Sequence, residues 1–332
     1  MTKLEICIPT YDRPACLRQT VQCLLEQLDA TTTLRILDNH SPEPVTHERL
    51  GVSDPVIRGR VCIERSSVNI GGNANIARCF ERCQADYMWL LGDDDELAPD
   101  ALETMVADIK SRPECVIFNY CLPRNNRKRN MEGSGLDAFL KEIDRWGNCM
   151  LISNNVYRVP AFKPYVICGY HYAYSQAPHM AILLEKLRVA GGDFFFSSQS
   201  IILGNMPTPA GGNGWSLTHH GLARMALLDL PFTGPQRARL KELIVGEVKL
   251  FNHAMAYALL IAKGNDVATA RHYLRKVYRD NFAEPFRIGY GIRYWLCQLA
   301  LLAPETSVRL IQLSLGSSAM DPVRSRETST RR

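Results

Sequence analysis

The stretch from Tyr87 to Asp100 constrains the fold of this chain more than any other part of its sequence. It begins with five mostly large and apolar residues, Tyr87–Leu91, and such a run is typical of a buried β-strand. Gly92 and four consecutive acids end the run. Pro99 then opens a segment whose apolar residues recur at helical spacing. A buried strand, an acidic turn and a helix in this order predict an α/β sheet with carboxylates at the carboxyl end of a strand.

The acidic turn contains three adjacent aspartates, Asp93, Asp94 and Asp95. Their carboxylates repel one another unless a cation or a helix N-terminus offsets the charge. Mg²⁺ and Mn²⁺ prefer such oxygens, and phosphates often complete their coordination. The alternative is a solvated turn that only caps the next helix, but the buried strand before the turn favours a ligand site. The sequence therefore predicts a divalent-cation site at the three aspartates.

The cysteines and the chain ends bear on the compartment. The 11 cysteines are an odd number without a paired CxxC framework, and several, such as Cys7, Cys62 and Cys115, fall in predicted buried strands. We therefore expect reduced thiols rather than disulfides or a zinc site. The first residues lack the layout of a signal peptide, and no run of about 18 apolar residues predicts a membrane span. The expected location is the cytoplasm.

The net charge is unevenly placed along the 332 residues. Residues 234–332 hold 16 Lys and Arg against 8 Asp and Glu, a balance of +8. Residues 1–233 hold the remaining 23 basic and 26 acidic residues, a balance of −3. A basic last third suggests an anionic partner, a membrane or a nucleic acid, although it also serves solubility.

Strands and helices alternate along the first 120 residues, which predicts a doubly wound, mostly parallel α/β sheet. Apolar strands are predicted at 4–8, 34–37, 61–64, 88–91 and 115–120, a basic surface loop at 123–135, a helix at 177–190, and the last strands of the sheet at 194–196 and 201–203. A mobile loop rich in Gly, Pro and Asn follows. We divide the chain into an α/β domain at 1–215, a helical region at 216–316 and a basic, flexible tail at 317–332.

Four polar clusters follow successive strands of this sheet: Thr10–Arg13, Asp38-Asn39, Asn69–Asn75 and Asp93–Asp95. In a parallel sheet they meet in one crevice. An arginine there can bind a phosphate, adjacent glycines let backbone amides approach one, and the acids can hold a metal that bridges two phosphates. A carboxylate or amide after the second strand can bind a base edge. These features predict a nucleoside-diphosphate site without a P-loop lysine or a GxGxxG motif.

The motifs Ile6–Arg13, Asp38–Ser41, Asn69–Gly71 and Trp89–Leu102 resemble those of the family 2 glycosyltransferases of the GT-A fold. The resemblance covers residues 4–120. It implies an α/β GT-A domain that transfers a sugar from a nucleotide-diphosphate donor to an acceptor hydroxyl, usually with inversion and with Mg²⁺ or Mn²⁺. The Leu-Gly-Asp-Asp-Asp form resembles the branch that assembles bacterial O-antigens and capsules, which includes deoxysugar transferases such as abequosyltransferases.

The family's site residues carry over to matching positions here. The resemblance implies contacts with the nucleotide or donor at Pro9, Thr10, Tyr11, Arg13, Asp38, Asn69, Gly71, Asn73, Asp93 and Asp94, and with the metal at Asp93, Asp94 and Asp95. Asp38 is expected to contact the base. The family usually reads Leu-Asp-x-Asp-Asp, and alignment on the following helix places Gly92 at the first acid, whereas a shift of one residue makes Asp93-x-Asp95 the motif. Which pair holds the metal is left open.

The catalytic base also departs from the family pattern. An inverting transferase needs a group that deprotonates the acceptor hydroxyl. The family supplies an acid from a Glu-Asp pair near the place where this chain has Ser175–Met180, which contains no acid. His179 at that helix start can act as a base near neutral pH, or it can serve only the helix. Asp193 is the second candidate for the base.

The remaining expectations concern the acceptor and the surroundings. We expect a glycan acceptor linked to a polyprenyl diphosphate, peripheral contact of the C-terminal helices with an anionic inner membrane, no nucleic-acid partner, and either a monomer or a homo-oligomer. The loop at 204–220 is expected to close over the donor and contains Trp215, His219 and His220. The resemblance makes His219 or His220 a further candidate metal ligand. The competing interpretations are a non-catalytic nucleotide-binding scaffold and, less favoured, a sugar nucleotidyltransferase, whose Gly-rich first loop is replaced here by Pro9–Tyr11.

Overall fold

The computed structural model describes residues 3–205, 224–247, 250–282 and 288–315. Its strands are β1 (Leu4–Thr10), β2 (Thr32–Asp38), β3 (Val61–Arg65), β4 (Tyr87–Leu90), β5 (Asp95–Leu97), β6 (Cys115–Asn119), β7 (Met131–Ser134), β8 (Asn155–Arg158), β9 (Asp193–Phe196) and β10 (Ile202–Asn205). Its α-helices are α1 (Pro14–Leu25), α2 (His47–Leu50), α3 (Pro55–Arg58), α4 (Gly72–Arg82), α5 (Ala101–Ser111), α6 (Gly135–Glu142), α7 (Trp146–Met150), α8 (Val166–His171), α9 (Pro178–Ala190), α10 (Gly234–Glu247), α11 (Leu250–Lys263), α12 (Val267–Phe282), α13 (Ile288–Ala300) and α14 (Pro304–Leu315).

The main sheet has eight strands in the order β3-β2-β1-β4-β8-β6-β9-β7. Strands β1, β2, β3 and β4 are mutually parallel. Strand β8 is antiparallel to both of its neighbours, β4 and β6, and β9 is parallel to β6, so β6 and β9 run in the same direction as β4. The predicted doubly wound, mostly parallel α/β sheet is confirmed, and all the strands that run with β4 end at one edge, called the carboxyl edge below.

Three features of the sheet differ from the prediction. Strand β8 is reversed within the sheet and was not predicted. Strand β7 lies in the segment predicted to be a basic surface loop, where it pairs with β9. The strand predicted at 201–203 forms a separate two-stranded sheet, in which β10 pairs with β5 and Asn205 lies opposite Asp95. The acidic turn is therefore held by a second sheet as well as by β4.

The central strands are continuous apolar runs in the sequence because both of their faces are buried in the core. Ile6, Cys7, Met88 and Trp89 have no exposed surface, because helices cover both faces of the sheet there. The indole of Trp89 donates a hydrogen bond of 2.8 Å to the carbonyl of Ser153. This bond ties β4 to the segment before β8, next to the acidic turn.

The described residues form two compact units. The first comprises residues 3–205 and 227–243, and the second contains 224–226 and the described residues from 244 onward. The second unit has its own apolar core, built from residues such as Ala258, Leu274 and Leu301. The predicted boundary at 215/216 lies outside the described residues and stays a prediction.

Within the described ranges, every helix is too short or too polar to cross a membrane.

Candidate functional site

The polar clusters after the first four parallel strands meet at the carboxyl edge, as the sequence predicted. The hydroxyl of Thr10, at the end of β1, donates a hydrogen bond of 2.7 Å to Asp93 Oδ2. After β2, Asn39 Nδ2 donates to Asn69 Oδ1, which follows β3, over 2.8 Å. The edge thus carries two polar groups, each held together by a hydrogen bond. One lies on the acidic turn, and the other lies between the ends of β2 and β3.

The acidic group is organised around Arg13. Its Nη1 donates to Asp93 Oδ1 and to Asp94 Oδ2, each over 2.9 Å. Burial alone would lower the pKa of Arg13, but the charges of Asp93 and Asp94 outweigh burial and raise that pKa. One positive group therefore sits between two carboxylates from neighbouring residues and offsets their negative charge.

Asp95 has a different environment from its two neighbours. Only 2% of it is exposed, and the hydroxyl of Ser153 donates a very short hydrogen bond to its Oδ2. Burial raises the pKa of Asp95 to about 7; the Ser153 hydrogen bond opposes this rise, and the charges of Asp94 and Asp93 add to it. Burial raises the pKa of Asp93 as well, against the effects of Arg13 and Thr10. Asp95 is thus bound to the protein interior, while Asp94 is the most exposed of the three.

Gly92 stands at the first acid of the family motif if the motif is aligned on the following helix, and the structure gives a steric reason for glycine at this position. A Cβ atom at Gly92 would lie 2.5 Å from Asp95 Oδ2 and 3.4 Å from the hydroxyl oxygen of Ser153. The Gly92 amide itself donates to that Ser153 oxygen over 2.8 Å. An acid at position 92 has no room while Ser153 holds Asp95 in this way.

We expect Gly92→Ala to lower the free energy of unfolding by about 1–3 kcal/mol, because the added methyl group must displace a buried, hydrogen-bonded carboxylate. Urea denaturation of the full chain measures this change. Gly59→Ala is the matched control, since a Cβ atom there meets only backbone oxygens at 3.5 Å and 3.6 Å. Equal stability of Gly92→Ala and Gly59→Ala would contradict this account of the turn.

The donor set of the acidic group fits a divalent cation. Asp93 Oδ1 and Asp94 Oδ2 share one guanidinium nitrogen as their partner, so two carboxylates already face the same positive charge. Mg²⁺ is commonly held by one or two carboxylates together with substrate phosphates and water. A nucleoside diphosphate would bring the phosphate oxygens that complete such a site.

Asp38 was expected to contact the base, but its carboxylate is occupied within the protein. Asp38 is fully buried; its oxygens accept from the Ser41 amide over 2.8 Å, from Arg65 over 2.7 Å and from the Val45 amide over 3.4 Å. Burial would raise the pKa of Asp38, but the hydrogen bonds from Ser41, Arg65 and Val45 together lower it below its ordinary value. The structure therefore shows Asp38 holding the loop after β2.

Asn39 follows Asp38 in the chain and forms a hydrogen-bonded pair with Asn69. Asn39 Oδ1 accepts from the Ile70 amide over 3.0 Å, and Asn69 Oδ1 accepts from the Gly71 amide over 2.8 Å. Gly71 has a φ of 85°, which favours glycine, and helix α4 begins directly after it. Asn69 and Gly71 are exposed, whereas Asn39 is buried.

The remaining predicted nucleotide contacts lie around this pair and the end of β1. Pro9 is part of β1 opposite Leu37, Tyr11 is 43% exposed, and Asn73 lies in the first turn of α4. A cleft beside them is lined by Asp12, Arg13, Ser41, Val45 and Arg49, among others.

The two candidates for the base are placed at opposite ends of the sheet. Strand β9 starts at Asp193, three residues after α9 ends at Ala190. Asp193 is therefore at the amino edge, opposite the edge of Asp93, and the structure does not bring it to the acidic group. The first turn of α9 lies toward the carboxyl edge, and His179 is in that turn with 1% of its surface exposed. Trp215, His219 and His220 lie outside the described residues.

Two residues of the site were missed by the sequence analysis. Ser153 binds both Gly92 and Asp95, and the hydroxyl of Thr20, in α1, donates to the carbonyl of Asp93 over 3.2 Å. The only signal for Ser153 in the sequence is the polar run Ser153–Asn155 before β8. Thr20 is the single polar residue among the buried positions of α1, and that contrast could have identified it.

Comparisons with known proteins connect this edge to a protein family. Residues 5–165 match the family model described as glycosyl transferase family 2. The curated abequosyltransferase RfbV of Salmonella typhimurium is 28% identical over 113 residues, which cover 33% of this chain and 34% of RfbV. The match thus spans about one third of that relative.

Solved structures share the fold at low sequence identity. TarS residues 1–349 of S. aureus has a TM-score of 0.58 with 11% identity, covering 99% of this chain and 91% of TarS. The structure of its complex with UDP-GlcNAc has a TM-score of 0.59 with 11% identity, covering 99% of this chain and 92% of TarS. These likenesses confirm the predicted GT-A type of α/β fold.

Proposed function

We propose that this chain, whose residues 5–165 match the model of glycosyl transferase family 2, transfers a sugar from a nucleoside-diphosphate sugar to a hydroxyl of an acceptor glycan. The observation that carries the proposal is the meeting of Arg13, Asp93 and Asp94 at the carboxyl edge of the sheet, beside the Asn39–Asn69 pair. Such an edge offers both a cation site and polar groups for a nucleotide. The complex of TarS with UDP-GlcNAc supports a donor of this class.

We assign the divalent cation to Asp93 and Asp94, because Asp95 is engaged by Ser153 in the interior. When bound, the cation would neutralise charge on the leaving diphosphate. Arg13 supplies a second positive group, whose guanidinium can form charge-assisted hydrogen bonds to a phosphate oxygen. We assign the ring of Tyr11 and the backbone before α4 to the nucleoside, and Asp38 positions the loop after β2.

The chemistry expected of the family is inversion at the transferred sugar, with a protein group that accepts the proton of the acceptor hydroxyl. His179 is the residue of this chain that we assign to that role, because α9 starts toward the carboxyl edge. We further propose that the acceptor is a lipid-linked bacterial surface glycan, with a polyprenyl diphosphate as the lipid link. The match to an abequosyltransferase supports the transfer of a sugar, and the acceptor follows from the resemblance to the enzymes of O-antigen and capsule assembly.

A lipid-linked acceptor calls for a membrane-facing surface, and α13 provides a candidate. Ile292, Trp295, Leu296 and Leu299 are all exposed and recur at helical spacing, which gives one apolar stripe. The stripe carries Arg293 at its side, and no acidic residue occurs in α13. Residues 234–332 as a whole have a balance of +8. We therefore propose peripheral binding of this helix to an anionic membrane.

We expect the double variant Trp295→Glu and Leu299→Glu to lower partitioning onto vesicles that contain anionic lipid by at least about tenfold, because two acids replace apolar contacts in the stripe. Vesicle flotation at low and high salt measures the bound fraction. Val56→Glu is the control, since Val56 is 68% exposed in the first unit, outside the stripe. Unchanged flotation of the double variant would remove α13 from membrane binding.

A thermal-shift screen followed by a turnover assay tests the proposed function. UDP, GDP, CDP and dTDP are each added with and without Mn²⁺; the correct nucleotide should stabilise the protein by about 2.7 kcal/mol at a hundredfold excess over its Kd. The corresponding nucleotide sugars are then tested for acceptor-dependent release of the nucleotide. Binding without release would favour a scaffold, and pyrophosphate-dependent exchange would favour a nucleotidyltransferase.

A further inference from the structure

Tyr172, which is half-buried, and Tyr174, which is exposed, form an aromatic surface next to α9. The rings of Tyr172 and Tyr174 are nearly parallel, with an interplanar angle of 19° and centroids 6.1 Å apart. Tyr174 is 62% exposed. Aromatic rings in this setting present an electron-rich face to solvent, and neither ring has a role in the donor site described above.

The backbone under the two rings is held in place on both sides. The Tyr172 amide donates to the Cys168 carbonyl, and the Ser175 amide donates to the Tyr172 carbonyl, each over 2.9 Å. Ser175 is fully buried, and its hydroxyl oxygen accepts from the Ala177 amide over 3.1 Å. A surface fixed in this way loses little conformational entropy when a ligand stacks on it.

The chain places the aromatic pair at the carboxyl edge of the sheet. Tyr174 precedes Pro178, the first residue of α9, by four residues. Helix α9 runs from the carboxyl edge to the amino edge, because β9 begins directly after it. The segment Ala173–Ser175 also packs against α4, the helix that starts just after Asn69 and Gly71. The pair is therefore on the same edge as the proposed donor site.

An acidic residue acts on both rings. Burial raises the pKa of Tyr174, and the carboxylate of Asp229 adds to the rise. Burial raises the pKa of Tyr172 too, with Cys168 and Asp229 contributing next. Asp229 belongs to the same compact unit and is exposed. A carboxylate whose charge reaches both rings opposes an anionic ligand such as a phosphate or an acidic lipid, and a carboxylate can accept hydrogen bonds from hydroxyl groups.

We propose that Tyr172 and Tyr174 form a subsite for a neutral sugar ring of the acceptor glycan, which stacks on the Tyr174 face while Asp229 accepts hydrogen bonds from its hydroxyls. The C–H groups on one face of a pyranose complement the negative face of an aromatic ring. A sugar fits the combination of a small apolar face and a carboxylate better than a lipid tail, which needs a broad apolar area. The subsite rests on the proposed function, because that function supplies the glycan acceptor.

Saturation-transfer NMR on the full chain tests the subsite with three probes: the methyl glycosides of mannose, galactose and rhamnose. We expect transfer to the protons of one sugar face for at least one probe. Tyr174→Ala should weaken that binding by about fivefold to tenfold, the effect of a lost aromatic contact. Tyr174→Trp should preserve it, and Asp229→Asn should weaken it. Val56→Ala is the control, since Val56 is another exposed apolar residue, 68% exposed, and belongs to none of the proposed sites.

Three results would overturn the subsite: no transfer to any of the three glycosides, equal transfer in wild type and Tyr174→Ala, or an equal loss in Val56→Ala. The proposed function fails separately. If none of the four nucleoside diphosphates stabilises the protein but glycoside binding depends on Tyr174, the subsite stands and the transferase proposal falls. If a nucleotide binds and Tyr174→Ala changes nothing, the subsite alone is wrong.

Discussion

Asp94→Ala should lower the rate of sugar transfer by at least about a thousandfold while the protein keeps its fold. A cation held by Asp93 and Asp94 is expected to supply several kcal/mol of charge stabilisation to the leaving diphosphate, and each 1.36 kcal/mol is a factor of ten in rate. Asp94 is the best residue for this test because it is the most exposed of the three aspartates. Its carboxylate has Arg13 as a partner, whereas Asp93 also binds Thr10 in the interior.

The measurement combines turnover, calorimetric titration of Mn²⁺ in the presence of the nucleotide, and the melting temperature on one preparation. Glu96→Ala is the matched control, because Glu96 is an exposed acid two residues further along the same turn. We expect Glu96→Ala to keep Mn²⁺ affinity and turnover. If Asp94→Ala behaves like this control in both measurements, Asp94 does not hold the metal.

The positions of the strand ends were predictable from the sequence because they depend on local patterns. Mostly apolar runs of four or five residues, at 4–8, 34–37, 61–64 and 88–91, mark β1, β2, β3 and β4, and the polar residue types after each run need no long-range information. Parallel pairing then brings the ends together at one edge. For this reason the sequence alone predicts that Arg13, Asp93 and Asp94 lie at one site.

The partners of each side chain were not predictable, because they come from distant parts of the chain. Asp95 is bound by Ser153, which lies 58 residues away. Asp38 is bound by Arg65, 27 residues away, so its carboxylate anchors a loop, and its contact with the base stays a prediction. Each assignment depends on how loops close over the sheet edge, and periodicity carries no information about that closure.

The direction of a strand was the other source of error. Strand β8 has four residues and is reversed between β4 and β6; so short an apolar run does not reveal its direction. Asp193 opens β9, and the direction of β9 puts it at the amino edge, away from the acids. His179 and Asp193 looked equivalent as polar residues beside the ends of α9, and only the course of that helix separates them.

The position of His179 suits a catalytic base, but its burial does not, and this conflict makes its role testable. The first turn of α9 lies toward the carboxyl edge, where an acceptor hydroxyl must meet the donor. Only 1% of His179 is exposed, so an acceptor can reach the imidazole only if part of its covering moves. Lids that open and close on substrate binding do this in many enzymes. A purely structural histidine would stay covered throughout the reaction.

His179→Ala should lower kcat by about a hundredfold to ten-thousandfold if the imidazole takes the proton from the acceptor. Donor affinity should hardly change, because the proton comes from the acceptor, and the wild-type rate should fall as the pH falls, since a protonated imidazole accepts no proton. Leu183→Ala is the control: Leu183 is fully buried one turn further along α9, and its loss should lower the melting temperature with near-normal turnover per folded molecule. Turnover, donor affinity and melting temperature are measured together for both variants. If His179→Ala melts early and turns over like Leu183→Ala, the histidine only packs the helix and the base lies elsewhere.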